Sequence, residues 1–577
     1  VTTFKVWAPT PQSVEVEVGD ERIAMVRLGG EGWWVAEVDW VAAGDDYRFV
    51  LDGGPEGLPD PRSPYQPQGV DGPSRVVDHA AFPWTDDGWR GVHLPSAVVY
   101  ELHVGTFTAE GTFEAVIPRL DHLVELGVDV VELLPVAEFS GDRGWGYDGV
   151  DLYAPHHAYG GPDGLKKLVD ACHHRGLGVV IDVVYNHLGP AGNYLSRYGP
   201  YFTDRYNTPW GDAVNLDGPD SGPVRQFFID NALMWLRDYH ADGLRLDAVH
   251  AIVDTSAVHV LEALGLEVER LAAAVGRPLF LIAESDLNDP RVVNARQVGG
   301  YGMDAQWSDD FHHALHSALT GEKSGYYADF SGLRDVARAL QSVFVYGGAY
   351  SPERRRVHGR PVPPGTPGWR FLGYLQNHDQ VGNRAVGERS SHLMSVGRAK
   401  VGAALVLLSP FVPMLFQGEE WAASTPFQYF TDHADPALGR AVSEGRRREF
   451  GSFGWAPEDV PDPQDPATFE RSVLRWDEVG LAPHAEVLDW HRSLIALRRS
   501  TPSLTDGCLD AVQVRADDTA GWLVMQRGAM TVACNIGTVP VTLPVAGSLA
   551  LASEPGVSLE AGSLVLPPDS VAVVRGG

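Results

Sequence analysis

The chain has 577 residues, a hydrophobic content of 44% and a formal net charge of −31. That length exceeds one ordinary core and implies about two to four domains. The composition excludes a disordered or fibrous chain, the absence of any apolar run near 18 residues excludes a membrane-spanning helix, and the negative charge argues against nucleic acid, whose phosphates need clustered Lys and Arg.

An uncharged substrate fits an acidic protein. The three cysteines, Cys172, Cys508 and Cys534, are sparse and lack CxxC spacing, which argues against a disulfide framework or a zinc site and for a reducing cytoplasm. The start, "VTTFKVWAP", lacks a basic region followed by an apolar core, so no signal peptide is expected.

Short β-rich runs come first: "FKVWAP", "VEVEV", "IAMVRL", "WWVAEV" and "YRFVL", with turn residues between them. This is the pattern of a β-sandwich and predicts an N-terminal domain over residues 1–90. A Pro/Gly-rich connection follows, and then the character changes. "AVVYELHVG" reads as a strand, 113–127 carries apolar residues at helical spacing, and "VVELLPV" reads as a second strand. Residues 164–175 read as a helix, "GVVIDVVYN" as a third strand, 224–239 as an amphipathic helix and "GLRLDAV" as a fourth strand. "PLFLIAES", "DAQWS", "RFLGYLQNHD" and "VPMLFQGEE" complete eight, mostly separated by helices. That alternation predicts a (β/α)8 TIM barrel with insertions over 91–483; a doubly wound sheet is the rival topology and accounts less well for eight strands. A last helix and five further β-rich runs predict a second β-sandwich domain over 484–577.

The fourth strand raises a question. Arg245 and Asp247 lie two apart in "GLRLDAVHAI", so both point to one side of an otherwise apolar strand. Active sites of such barrels form at the C-terminal strand ends. Polar residues gather at those ends: Asp182 and His187 on strand three, Arg245, Asp247 and then His250 on strand four, Glu284 on strand five, and His378 with Asp379 on strand seven. Any one could be a structural polar group, but buried carboxylates persist only when paired or functional. Carboxylates on three strands suit metal-assisted hydrolysis or glycoside hydrolysis by a nucleophile and an acid. Arg245 favours the second, because a guanidinium keeps a nucleophilic carboxylate ionised but would repel a metal.

"DVVYNH", "GLRLDAVH", "IAES" and "QNHD", in that order, resemble the four signature regions of the α-amylase superfamily of glycoside hydrolases. The resemblance implies that Asp247 is the nucleophile, Glu284 the general acid/base, and Asp379 the carboxylate that holds sugar hydroxyls and distorts the ring. It implies that Arg245 orients Asp247, that Asp182 orients Arg245, and that His187 and His378 hydrogen-bond the sugar. Tyr147, in "GWGYDGV", matches the family's stacking tyrosine, and His250 is a further substrate-binding candidate. Glu284 has to stay protonated at the working pH.

The flanking stretches "YELHVGTF", "YAPHHAYGGPDGLKKLVDACHHRGLGVVIDVVYNHLGPAGNYL" and "LFQGEEWAASTPFQYFTDH" resemble, within that superfamily, the malto-oligosyltrehalose trehalohydrolase family. This implies a malto-oligosyl trehalose substrate, cleavage of the α-1,4 bond next to its trehalose end, and no cofactor or metal. Asn186 matches a calcium ligand of many amylases; its alternative is loop hydrogen bonding. Trp145, Tyr153, Trp210 and Trp421 are candidate sugar platforms, Trp210 foremost because small and polar residues surround it; packing is an equal reading of each. Glycogen branching or debranching enzymes share these motifs, and a glucan-binding barrel without activity should lack one of the three carboxylates.

Overall fold

In a computed structural model, which describes residues 1–208, 210–451 and 455–576, the N-terminal runs form two antiparallel sheets. One joins Thr2–Trp7, Trp33–Val38 and Val26–Leu28; the other joins Glu21–Ala24, Val14–Val18, Asp46–Leu51 and Ser74–Arg75. Strict alternation sets their packing. Val14, Val16 and Val18 are buried while Glu15 and Glu17 between them are not. The inner residues meet Phe4, Val6, Trp34 and Phe49 in one core. The connection that follows is tied to the barrel by Arg62–Asp230 at 2.8 Å and by Trp89, whose indole donates to Asp242 at 2.8 Å.

Eight parallel strands then close into a barrel: β1 Val99–Leu102, β2 Val130–Leu133, β3 Gly178–Val183, β4 Gly243–Leu246, β5 Phe280–Ala283, β6 Ala305–Trp307, β7 Phe371–Gly373 and β8 Val412–Phe416. Each is buried on both faces, which explains why they read as unbroken apolar runs. Side chains such as Val99, Val130, Val180, Ile282, Leu372 and Met414 plug the interior. Leu244 and Leu246 face outward into the helix layer. Above the apolar plug the interior turns charged. Register places Glu101 beside Glu132 on β1 and β2, and Asp182 beside Arg245 on β3 and β4. All four are buried.

The expected helices are present as Leu120–Leu126, Gly161–His174 and Ser221–Arg237. The β5–β6 connection departs from strict alternation: among the described residues it holds only short 3-10 turns at Pro290–Val292 and Arg296–Val298. Helix His484–Arg499 packs on the barrel helices Val396–Leu407 and Leu120–Leu126, so by contact it belongs to the outer ring. The strands beyond it form a five-stranded and a three-stranded antiparallel sheet around Val524, Leu564, Leu566 and Ala572. No helix among the described residues is long and apolar enough to cross a membrane.

Candidate active site

Arg245 explains the odd pairing on β4. Its Nη1 donates to both oxygens of Asp182, at 2.9 and 2.8 Å, and to Asp247 Oδ1 at 2.9 Å. The guanidinium lies 4.2 Å over the Trp307 ring at the end of β6, a cation–π contact inside the barrel. Burial alone would favour loss of its proton, but Asp182, Tyr147, Asp247 and Glu284 outweigh it and hold the group cationic. The second oxygen of Asp247 accepts from Asn186 Nδ2 at 2.8 Å. Two donors, one of them charged, therefore hold one oxygen each and fix the carboxylate against rotation.

Glu284, one residue past β5, has a different environment. Its Oε2 accepts from the backbone N–H of Ala248 at 2.6 Å and stands 3.8 Å from Arg245 Nη2. Burial raises its pKa well above the ordinary carboxylate range; Arg245 opposes that shift, and Asp247, Asp309 and Asp379 add to it. Ala248 achieves its contact from a left-handed conformation, φ 39° and ψ 52°, which costs a non-glycine residue about 1–2 kcal/mol. The strained turn directly after the Asp247 side chain is what aims that N–H at Glu284.

His378 and Asp379 open the short helix after β7. His378 is clamped by Glu101 on β1: its Nδ1 lies 2.5 Å from Oε1, and its backbone N–H donates to Oε2 at 3.0 Å. Burial would lower its pKa, but Asp379 and Glu101 outweigh burial and push it up to about 9. The ring is thus an imidazolium at neutral pH, and its Nε2–H, 3.6 Å from Asp379 Oδ1, has no hydrogen-bond partner among the described residues. The Tyr147 ring stacks on it at 5.1 Å, and the Tyr147 hydroxyl donates to Asp182 at 2.6 Å. Asp379 keeps a half-open carboxylate, steadied by Asn383 Nδ2 at 3.1 Å. The barrel mouth thus holds a carboxylate fixed by two donors, a buried carboxyl group with a raised pKa, and a half-open carboxylate beside a charged histidine donor.

The sequence was compared with known families and structures. Residues 80–207 match the alpha amylase catalytic domain and residues 509–573 a domain of unknown function, DUF3459. Proteins named malto-oligosyltrehalose trehalohydrolase from Arthrobacter ramosus and Mycobacterium tuberculosis are 52% and 50% identical to it, each over 99% of both chains. The chain belongs to the malto-oligosyltrehalose trehalohydrolase family. A crystal structure of an alpha amylase homologue from Salmonella typhimurium superimposes with a TM-score of 0.92 at 41% identity, covering 100% of this chain and 97% of that one. A pullulanase from Paenibacillus barengoltzii shares the fold, with a TM-score of 0.72 at 20% identity.

Within this trehalohydrolase fold, some expected sugar contacts are placed differently. Both ring nitrogens of His187 face protein groups: Nδ1 lies 2.5 Å from Asn186 Oδ1 and Nε2 lies 2.8 Å from the Tyr147 carbonyl. Its ring serves instead as a base for Trp210, stacked at 4.2 Å and 2°. Trp210 stands at the tip of a hairpin formed by Phe202–Thr208 and Gly211–Val214, is 51% exposed, and offers its outer face as a platform. His250 sits on the rim, 3.7 Å from Asp286. Trp145, Tyr153 and Trp421 are packing groups, not platforms: all three are buried, and their polar atoms donate to the Gln428 carbonyl, the Phe227 carbonyl and Glu478.

Two residues that shape this candidate site, Glu101 and Trp307, were not singled out in the sequence. Glu101 holds His378 across 277 positions, a distance no local pattern spans. Of the two readings of Asn186, calcium ligand or loop hydrogen bonding, its contacts match the second: its amide Nδ2 donates to Asp247 and its Oδ1 lies 2.5 Å from His187 Nδ1. Trp307 stands under Arg245 in "DAQWS", where an aromatic at the end of a barrel strand was the available signal.

Proposed function

We propose that this chain is a retaining glycoside hydrolase that cleaves the α-1,4 bond next to the terminal trehalose of malto-oligosyl trehalose, releasing trehalose in its biosynthesis. The observation that carries the reading is the contrast between two carboxyl groups: Asp247, fixed by Arg245 and Asn186, and Glu284, buried with its pKa raised well above the usual range. Asp247 attacks the anomeric carbon while Glu284 gives its proton to the bridging oxygen, and trehalose leaves. The developing positive charge on the sugar is balanced by Asp247 and Asp379. Glu284, now ionised, takes a proton from a water that attacks the same carbon, which frees Asp247 and yields the α-anomer.

The cleaved bond occurs throughout starch, so the catalytic groups cannot select the substrate. The leaving side has to be read. Beside Asn383, the residue that steadies Asp379, Tyr326, Arg384 and Trp455 line a shallow cleft whose aromatic and polar groups are candidates for reading the leaving disaccharide. A misfitted leaving group strands buried donors and acceptors at about 1–3 kcal/mol each, and two such losses give roughly a hundredfold preference. The test compares maltotriosyl trehalose with maltopentaose at equal concentration. Rapid trehalose release from the first and slow attack on the second is expected. Equal rates, or no trehalose, would move the assignment to a branching or debranching enzyme. A branching enzyme from Pseudoalteromonas atlantica is 34% identical over 44% of this chain, and new α-1,6 branches on amylose would favour that reading. Free thiols at Cys172, Cys508 and Cys534 support a cytoplasmic setting.

A further inference from the structure

The loop after β2 begins and ends on a small antiparallel ladder, Ala137–Glu138 against Asp151–Pro155. The ladder brings Glu138 beside His156 and His157. One ligand atom from each of the three lies within 4.8 Å of the others. His157 Nδ1 is 2.7 Å from Glu138 Oε1, and His156 Nδ1 is 3.3 Å from the same oxygen. Their polar contacts run to one another and to Asp142, not to Asp247, Glu284 or Asp379.

Two details single this cluster out from ordinary ion pairing. His156 is fully buried, and neither ring nitrogen makes a hydrogen bond among the described residues, although Nδ1 faces the carboxylate. Leaving a buried polar group unpaired costs about 1–3 kcal/mol, so a fold that keeps an imidazole there calls for a partner. The outer nitrogen of His157 lies 3.1 Å from Asp142 Oδ1, the carboxylate–histidine arrangement that orients an imidazole toward an ion on its other side.

We propose that Glu138, His156 and His157 form a binding site for one divalent transition-metal ion. Two imidazoles and a single carboxylate oxygen suit zinc, cobalt or nickel; magnesium and calcium favour oxygen-rich sets. Glu138 is buried, and the partly exposed edge of His157 gives an ion its way in. The site fastens the root of the loop 139–150, which carries Tyr147 to Asp182 and Arg245. Its role is therefore to hold the active-site loop, not to take part in bond cleavage.

The test uses the full chain stripped with a chelator and titrated with Co2+. One equivalent should bind and produce the visible d–d bands of a low-symmetry nitrogen–oxygen site, displaced by Zn2+. Glu138→Gln and His157→Asn should each weaken binding by about tenfold or more while circular dichroism shows both folded. Anomalous scattering from zinc-soaked wild-type crystals needs no variant and should place the ion among the three side chains. Absence of stoichiometric binding, wild-type affinity in both variants, or an anomalous peak on other residues overturns the proposal.

Discussion

Glu101→Gln isolates what the buried Glu101–His378 pair contributes. Gln keeps the size and removes the charge; with one acceptor oxygen it can take the His378 Nδ1–H only by giving up the bond from the His378 backbone N–H. With that charge gone, burial and Arg245 face Asp379 alone, and the value of about 9 falls. A neutral ring that donates from Nδ1 to Gln carries a lone pair on Nε2. The group that faces Asp379 and the sugar then becomes an acceptor where a charged donor stood. A hydrogen bond to a charged group is worth about 1.5–3 kcal/mol, so kcat/KM at neutral pH should fall roughly 10- to 100-fold. Steady-state rates on maltotriosyl trehalose measure the loss, and the His378 ring proton followed by NMR reports its titration. Retention of the wild-type rate, or a ring that still titrates near 9, refutes the reasoning. The same linkage has a stability consequence. A raised folded-state value contributes stability that is complete below the unfolded value of about 6.5 and is lost as pH climbs through about 9.

Asp247→Asn should abolish the covalent step and cost about a thousandfold or more with every substrate, whereas Glu284→Gln should be partly rescued on a glycosyl fluoride, whose leaving group needs no proton; equal losses on both substrates count against the acid assignment. The alkaline limb should show loss of activity as the buried Glu284 ionises, because the acid works only when protonated, and a limb flat to about pH 9 would contradict it. Asn186→Ala removes one of the two donors on Asp247 and should lower kcat by about tenfold with KM little changed. Trp210→Ala should raise KM by up to about tenfold and leave kcat near wild type, since the exposed ring touches His187 and no catalytic carboxylate.

The barrel was legible because burial on both faces leaves a simple trace: eight short apolar runs separated by helical spacing. The candidate active-site charges were legible for the opposite reason. Asp182, Arg245, Asp247 and Glu284 interrupt those runs at strand ends, where a buried charge has no bland explanation. What stayed hidden depends on distance or on surroundings. Glu101 reads as one more residue of "VYELHV" until the closure of β8 onto β1 brings it under the β7 loop. Trp145, Trp210 and Trp421 look alike in sequence. One hairpin turns Trp210 outward, while the loops after β2 and β8 fold the other two inward. The β5–β6 connection holds 3-10 turns where strict alternation would put a helix, and at its start the Ser285 carbonyl accepts from Gln306 while the Asp286 carbonyl lies 2.8 Å from His358 Nε2.

The charges inside the barrel account for one another, and the result bears on catalysis. Arg245 and His378 are the two buried cations; Asp182, Glu101, Asp247 and Asp379 are the carboxylates that face them. The balance is negative, which suits a transition state that carries positive charge on the sugar ring. It can stay only modestly negative because further acids nearby remain neutral. Glu132, on the same interior layer, has no hydrogen-bond partner among the described residues, and burial followed by the Glu101 charge raises its pKa well above the usual range. Glu284 is held protonated by the same two causes, burial first and its neighbours' negative charge second, with Arg245 opposing. Burial is thus the main reason the Glu284 pKa is raised, and the negative charge around it adds to that shift. Arg245 stands differently to the two carboxyl groups: it donates to Asp247 at 2.9 Å, and it stands 3.8 Å from Glu284, where its opposition to the raised pKa is outweighed by burial.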